Sequence, residues 1–398
     1  MSDHNHAPLF RPLELPCGVI LKNRIAKSAM SDSLGNGCGS PTDTQLRLYN
    51  RWAEGGLAVS IIGEVQSNPS VAEKPGNLVL REETDLSRFE ALAKIGSANG
   101  AQLWLQLGHA GAMAYPPISD PKGPSQIKIP GLICAAITRD EIIKLPFEFA
   151  RTASLAKKLG FGGVQVHAAH GFLLSQFLSP LFNRRTDEYG GSIGSRMRLL
   201  LEVVDEVRNA VGPGFPVAIK LNATDQLEGG FHEEEALKVI VELDRTGIDL
   251  IDISGGTYFP GAKSASDSSG DGPYFLEFAK RARPLTTKPL MLTGGFKTFQ
   301  QAAGAIAQSG VDVIGLARAL ALDPDLPKNW EFGTPSDPVF PRFQQRPAGG
   351  VTAWFTMRLT DIGEDRELAE ARGLEAAIQD YESRDQKRIP IWRAHFGL

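Results

Sequence analysis

Two histidines, His167 and His170, stand three residues apart in the run HAAHGF, directly after a short apolar segment. At a junction between a strand and the following loop, both imidazole rings can point into one pocket. Imidazole N–H groups can bond and polarise a carbonyl oxygen or stabilise an anion. The pair could also chelate a metal or serve a purely structural role, and the residues alone leave all three roles open. The sequence offers no third ligand nearby and no HExxH motif.

A lysine and a glutamine lie in two other apolar runs. Lys220 lies in VAIKLN, where an unpaired ammonium group would be costly to bury. If this run is a strand, the lysine can reach the same pocket and face an anionic or electron-rich group. A lysine that extends outward to solvent is the alternative. Gln106 ends the run QLWLQ, and its amide can both donate and accept hydrogen bonds.

Small residues and an arginine follow the last two apolar runs. Gly294 and Gly295 follow PLMLT, and Ala317 and Arg318 follow VIGL. In an α/β barrel, the loops after the seventh and eighth strands commonly bind phosphate through backbone N–H groups. Glycine lets the backbone approach closely, and the guanidinium of Arg318 can bind phosphate with two parallel hydrogen bonds. Together the two sites predict a phosphorylated ligand.

One ligand accounts for these features. Its phosphate would lie over the last two runs, and its electron-rich ring would lie near Lys220 and Gln106, with one face toward the histidines. Flavin mononucleotide (FMN) has these parts, and no GxGxxG motif follows an early strand to favour a Rossmann site. We therefore expect bound FMN, and the role of the histidine pair is still open at this point. A flavin-free barrel enzyme acting on a phosphorylated substrate and a non-catalytic scaffold protein are the rival interpretations.

Eight short apolar runs alternate with helical patterns and must position these residues. The runs cover residues 24–28, 57–62, 102–107, 163–167, 217–221, 250–253, 289–292 and 313–316. Helical periodicity is found over residues 85–98, 147–159, 196–211, 233–246 and 299–309. This repetition predicts an α/β fold, and eight units with polar residues at the strand ends favour a TIM (β/α)8 barrel over a doubly wound sheet.

The barrel pattern ends before the chain does. We expect an FMN-binding barrel over residues 1–330 and a C-terminal extension over residues 331–398, which packs on the barrel or on a neighbouring subunit. Residues 341–350 are predicted to form a linker, and residues 360–383 to be mostly helical. The long Gly/Ser-rich segment 255–272 follows the sixth run and is a candidate for substrate contacts.

Composition excludes several classes of function. The chain has 398 residues with 46 acidic and 42 basic side chains, a net charge of −4, so we expect no binding to nucleic acid. Its mean hydropathy is −0.15, and no apolar run is long enough to predict a membrane span. Three scattered cysteines do not indicate a disulfide framework. We expect a cytoplasmic enzyme with a small-molecule substrate, and self-association into a homo-oligomer is left open.

The sequence resembles the old yellow enzyme family of flavin-dependent ene-reductases over about residues 8–330. The run HAAHGFLLSQFLSPLFNRRTDEYGGSIGSRMRLL, residues 167–200, is similar to the family's signature segment almost throughout. The segments LKNRIAKSAMS, QLWLQLGHAG, IKLNATD, LTGGF and GLARAL match in order and spacing. The resemblance implies a β/α barrel that binds FMN non-covalently and uses NADPH or NADH as the hydride donor.

The resemblance also implies roles for particular residues. His167 and His170 would bond the carbonyl or nitro oxygen of an activated alkene while hydride passes to its β-carbon. This role of the pair implies that the protein holds no metal. Lys220 takes a position usually held by arginine, so the charge stays while the planar fork is lost. The implied FMN ligands are Ser28, Ala29, Met30 and Ser31 around the ring, Val65 and Gln106 lining it, Lys220 near N1 and O2, and Gly294, Gly295, Ala317 and Arg318 at the phosphate.

Phe172 departs from the family pattern. The family usually has a tyrosine here, which donates a proton to the α-carbon of the substrate, and phenylalanine has no proton to give. Phe172 is still expected to contact the substrate. Water or a tyrosine from a long loop (Tyr115, Tyr258 or Tyr274) could replace the donor, or alkene reduction could be slow. The alternative activity is flavin-dependent desaturation, isomerisation or nitro reduction, which does not need that proton.

Overall fold

Eight parallel strands close into a barrel in the computed structural model, which describes residues 8–262, 272–333, 336–344, 346–368 and 372–398. The barrel strands are β1 (Ile25–Met30), β2 (Val59–Gln66), β3 (Gln102–Gly108), β4 (Gly163–Ala168), β5 (Val217–Asn222), β6 (Leu250–Ser254), β7 (Leu290–Thr293) and β8 (Val313–Leu316). Each strand pairs with the next along the chain, and β8 pairs with β1, so the ring closes. The predicted TIM barrel is confirmed.

Helices cover the outside of the barrel. They are α1 (Asp43–Glu54), α2 (Leu86–Gly96), α3 (Arg139–Lys158), α4 (Leu173–Leu178), α5 (Ile193–Arg196), α6 (Arg198–Val211), α7 (Glu233–Asp244), α8 (Leu276–Ala282), α9 (Phe299–Gln308), α10 (Arg318–Leu322), α11 (Leu326–Phe332), α12 (Gly350–Gly363) and α13 (Leu374–Phe396). Strand side chains such as Ile219 and Leu292 pack with helix side chains in one large core. In the part of the chain that the structure describes, none of these helices is both long and apolar enough to cross a membrane.

Helix α3 begins at Arg139, well ahead of the start predicted at residue 147. The extra residues include Pro146, although proline lacks an N–H donor and is disfavoured inside helices. In the structure the Thr138 side chain accepts a hydrogen bond from the backbone of Glu141, and the Glu141 side chain accepts one from the backbone of Thr138. This capping box starts the helix, which then continues through Pro146.

The amino-terminal half of the barrel is filled by apolar side chains. Short antiparallel strands, Leu13–Glu14 and Ile20–Leu21, close that end of the barrel. Their leucines pack against inward-facing side chains of the barrel strands, which include Ala26, Val59, Ile61, Trp104, Ala218, Leu250, Met291 and Val313. Inward-facing polar side chains are thereby concentrated at the carboxyl end, where active sites of this fold lie.

Two long helices follow the barrel, and their bounds differ from those predicted. The helix predicted over residues 360–383 is broken between α12 and α13, where Asp365 takes a left-handed backbone conformation with φ of 57°. The carboxylate of Asp361 pairs with the guanidinium groups of Arg366 and Arg372 and holds this turn. Half of segment 255–272, residues 263–271, lies outside the described residues. The division into domains at residue 330 stays a prediction.

Candidate active site

His167 and His170 meet at the carboxyl end of β4. The Nε2 atom of His167 lies 3.4 Å from Nδ1 of His170. His170 adopts a φ of 61°, which is uncommon outside glycine. Its backbone N–H donates to Asn222 Oδ1 at 3.0 Å, and its Nε2 lies 2.8 Å from the hydroxyl oxygen of Ser254. The structure therefore brings the predicted pair together. Asn222 on β5 holds the backbone of His170, and Ser254 on β6 holds its ring.

Both imidazoles are held in the neutral form. Burial, with the adjacent His170 and the charge of Lys220, lowers the pKa of His167 well below its usual value. Burial and Lys220 lower the pKa of His170 to about 3. Among the described residues, the buried Nδ1 of His167 has no hydrogen-bond partner, so it can bond a ligand. The described side chains include no group of three His, Cys, Asp or Glu placed to hold a metal ion.

A buried polar network lies beside the histidines. The ammonium of Lys220 forms an ion pair with Asp252 and donates to the hydroxyl of Ser28 at 3.0 Å. The Gln165 amide donates to Asp252 at 3.0 Å and accepts a hydrogen bond from Gln106 at 2.8 Å. Three predicted cofactor ligands, Ser28, Gln106 and Lys220, therefore belong to one network at the carboxyl end of the barrel.

Sequence reasoning missed Asp252. Lys220 was predicted to face an anionic or electron-rich group or to extend into solvent. Its side chain is fully buried, so the solvent alternative is wrong, and this aspartate compensates its charge. Lys220 and Asp252 are partners in the register between β5 and β6. The run LIDI carried a usable signal, because an acid in an apolar strand is as costly to bury alone as a lysine.

The residues predicted to surround the flavin ring divide into two groups. Ala29, Met30 and Ser31 are half-buried at the end of β1. Val65, in contrast, is 1% exposed and pairs with Leu107, and its side chain packs in the core between barrel and helices. A register shift in β2 just before Val65 sets this orientation. The Val65 side chain therefore does not line the barrel mouth, although its backbone can.

A cavity of about 700 Å³ opens over the ends of β6, β7 and β8. It extends from His170 to Gly294, Gly295 and Arg318, so the predicted phosphate ligands and one histidine share one space. Gly294 and Gly295 have φ values of 113° and 85°, and a Cβ on Gly295 would collide with the backbone oxygen of Gly272. Only glycine permits this close backbone approach.

These residues fit FMN. Glycine backbone N–H groups and the Arg318 guanidinium match the acceptors of a phosphate. The amide of Gln106 and the ammonium of Lys220 match the mixed donors and acceptors of the pyrimidine edge of a flavin. The donor set, the glycine cradle and the volume of the cavity all suit the same cofactor.

Phe172 forms part of an aromatic stack on the histidine pair. Its ring centroid lies 4.8 Å from that of His167 and 5.8 Å from that of Tyr258. Tyr258 is tied to the pair through its backbone N–H, which donates to the carbonyl oxygen of His170 at 3.2 Å. The side chain of Tyr258 is 61% exposed and lines the cavity. A phenol therefore lies next to Phe172.

The other two tyrosines considered as proton donors have different surroundings. The Tyr115 ring lies under the ammonium of Lys74, at 4.8 Å from Nζ. The Tyr274 ring packs over Gly294 at the phosphate end of the cavity, so that a Cβ there would be 3.1 Å from the ring. Of the three, Tyr258 is the one whose ring contacts Phe172.

Known proteins resemble this chain in sequence and in fold. Residues 8–337 match the model of the NADH:flavin oxidoreductase / NADH oxidase family. The NADH-dependent flavin oxidoreductase iccE of Talaromyces variabilis is 34% identical over 367 residues, which cover 81% of this chain and 86% of that protein. The NADH-dependent flavin oxidoreductase iliE of Neonectria sp. (strain DH2) is 33% identical over 355 residues, 80% of this chain, but the chain spans only 46% of that relative.

Solved structures share the fold. The old yellow enzyme homologue of Zymomonas mobilis superposes with a TM-score of 0.73 at 24% sequence identity. The match covers 83% of this chain and 94% of that one. At this level of identity the likeness concerns the architecture, and it extends over the whole barrel.

Proposed function

The chain belongs to the NADH:flavin oxidoreductase / NADH oxidase family, as its resemblance to the old yellow enzymes predicted, and we propose that it reduces an activated alkene. It is an FMN-dependent oxidoreductase with NADH or NADPH as hydride donor. The proposed substrate is an α,β-unsaturated carbonyl or nitro compound. The observation that carries the proposal is the buried, unpaired Nδ1 of His167, whose ring lies against His170 at the edge of the cavity.

The cofactor contacts belong to this proposal. The ring would be held by Ser28, Ala29, Met30, Ser31, Gln106 and Lys220, and the phosphate by Gly294, Gly295, Ala317 and Arg318. When bound, FMN supplies a two-electron carrier between the nicotinamide and the substrate. The ion pair with Asp252 compensates the charge of Lys220 and holds its ammonium in place.

The histidines would polarise the substrate through one consistent set of hydrogen bonds. We assign the Ser254 hydroxyl as the donor to Nε2 of His170, 2.8 Å away, so that Nδ1–H of His170 donates to Nε2 of His167 at 3.4 Å. This arrangement places the proton of His167 on Nδ1, which then donates to the carbonyl or nitro oxygen of the substrate. Because both rings are neutral, they stabilise the negative charge that develops on this oxygen by hydrogen bonding.

We assign the missing proton donor to Tyr258. Its ring packs on Phe172, the position where the family usually has its tyrosine. Partial desolvation and the nearby carboxylates of Glu73 and Glu64 raise the pKa of the Tyr258 phenol above its ordinary value. The phenol is therefore protonated at neutral pH and can give its proton to the α-carbon of the substrate. Solvent would then reprotonate the exposed side chain. Phe172 itself would form an apolar wall for the substrate.

A direct test combines cofactor and substrate assays. The purified protein should show flavin absorption, and 2-cyclohexenone and 1-nitrocyclohexene should each accelerate NADPH or NADH oxidation, whereas cyclohexanone should not. His167→Ala should raise KM and lower kcat for the enone and leave flavin content unchanged. Flavin-containing protein that oxidises NAD(P)H but reduces none of the alkenes would contradict the proposal.

A second candidate function is favoured by Phe172. An enzyme that lacks the usual donor could use its flavin for desaturation, isomerisation or nitro reduction, which do not need that proton. Nitroarene reduction together with inert enones would support this candidate, and a saturated product from an enone would exclude it as the main activity.

A further inference from the structure

One wall of the cofactor cavity comes from residues beyond the family match, which ends at residue 337. Phe343 and Arg346, which precede α12, and Phe355, on α12, line the cavity together with Gly295 and Arg318 of the barrel. The barrel supplies the glycine cradle on one side, and the C-terminal extension supplies an aromatic face on the other. The extension is therefore part of the site.

The aromatic face holds a predicted phosphate ligand. The guanidinium carbon of Arg318 lies 5.1 Å from the centre of the Phe355 ring, within range of a cation–π contact. Phe355 is 4% exposed and packs edge-on against Trp354 at 4.9 Å. Trp354 contacts the ring of Phe343 at 5.5 Å and donates from its indole N–H to the backbone oxygen of Arg372 at 2.9 Å. Trp354 is thus held by two contacts of its own, and it fixes the Phe355 ring that contacts Arg318.

The helix that carries this face is anchored to the barrel. The side chain of Arg47 on α1 donates to the carbonyl oxygen of Gly363 at the end of α12, at 2.7 Å. Gly363 lies so close to Thr44 of α1 that a Cβ there would collide with the Thr44 backbone oxygen. Most residues of α12 are buried. The helix can therefore hold the position of a side chain in the cavity.

We propose that the C-terminal extension is a clamp on the cofactor phosphate, in which Phe355 is a positioning residue for Arg318. The ring restricts the guanidinium to the cavity side of α10, so less conformational entropy is lost when phosphate binds. This inference rests on the proposed phosphate site and does not depend on the alkene substrate.

Comparison of FMN with riboflavin tests the clamp, because riboflavin has the same ring without the phosphate. Phe355→Leu keeps an apolar side chain but removes the π face, and should weaken FMN binding by the apoprotein about tenfold. Riboflavin affinity should stay within about twofold, as expected for a ligand that lacks the group Arg318 binds. Phe355→Tyr keeps the ring face and should restore FMN affinity. Fluorescence titration of the apoprotein measures both ligands.

Three controls separate positioning from general destabilisation. Phe89→Leu removes the same ring from the core of α2, which lies away from the cavity, and should lower thermal stability without changing the FMN-to-riboflavin affinity ratio. Arg318→Ala should lower FMN affinity, and adding Phe355→Leu to it should cause no further loss. Equal loss of FMN and riboflavin affinity in Phe355→Leu, or additive losses in the double variant, would overturn the clamp. Wild-type protein with equal affinity for the two ligands would overturn the phosphate site itself.

Discussion

Lys220 and Asp252 place two opposite charges at the centre of the barrel, with side chains 1% and 0% exposed. Such a pair is tolerated because each charge is matched and the remaining polar atoms are bonded, here by Ser28, Gln165 and Thr293. Apart from Asn222 and Ser254 at their carboxyl ends, the strands that carry them are otherwise apolar. Because Asp252 compensates its charge, Lys220 can be buried at the site.

Asp252→Asn should therefore be strongly destabilising. The change leaves the Lys220 ammonium buried without a counter-charge, which typically costs about 3–5 kcal/mol. The free energy of unfolding of the apoprotein in urea measures the effect. The double variant Lys220→Met/Asp252→Leu removes both charges and should recover most of the loss. An Asp252→Asn variant as stable as the wild type would show that the ion pair is not needed.

The assignment of Tyr258 can be tested separately from the histidines. Tyr258→Phe should slow alkene reduction about 100-fold, because general acid catalysis typically contributes a factor of this order. The rate of flavin reduction by NAD(P)H should not change. Adding Phe172→Tyr should restore turnover by placing a phenol at the position the family usually uses. Stopped-flow measurement of the two half-reactions resolves these effects, and an unchanged oxidative half-reaction in Tyr258→Phe would rule out this donor.

At the scale of elements, the strands were predictable and some helices were not. Strands of a parallel barrel are buried on both faces, so they stand out as apolar runs such as VAIKL and LIDI. Helix α1 was missed because its buried face mixes Gln45 with Leu48, Tyr49 and Trp52 in a polar segment. At the break between α12 and α13, Asp361 pairs with Arg366 and Arg372, and these ion pairs form no helical periodicity that could have predicted the break.

The contact between α1 and α12 can be tested with two helical glycines. Gly363→Ala forces a Cβ into the Thr44 backbone and should lower the free energy of unfolding by about 1–3 kcal/mol. Gly304 lies inside α9, and a Cβ added there would meet open space. Gly304→Ala should therefore raise the free energy of unfolding by about 0.5–1 kcal/mol. Thermal unfolding of the two variants beside the wild type is sufficient, and a neutral Gly363→Ala would show that α12 is loosely attached.

At the scale of the whole molecule, barrel closure explains which parts of the site could be predicted. The carboxyl ends of all eight strands meet at one mouth, so residues far apart in sequence, such as His167, Lys220 and Gly294, could be assigned to one site from their strand positions. Asp252 could not be assigned in this way, because that step needs the register that makes Asp252 the partner of Lys220. Tyr258 lies on a loop and Phe355 on the C-terminal extension, and both line the cavity at that mouth. Their packing belongs to the folded chain, so no sequence motif indicates it.

The burial of His170 makes the stability of the whole fold depend on pH. His170 has an ordinary pKa near 6.5 in the unfolded chain and about 3 in the folded one, where burial and Lys220 disfavour its charge. The unfolded state therefore binds more protons, and this contribution to stability, fully present above pH 6.5, is lost progressively as the pH falls toward 3. His170→Asn removes the titration and suits the left-handed conformation at this position. Urea unfolding from pH 7 to pH 5 should show the wild type losing up to about 1.4 kcal/mol per pH unit more than the variant below pH 6. Parallel losses in the two proteins would mean that His170 is not held neutral by the fold.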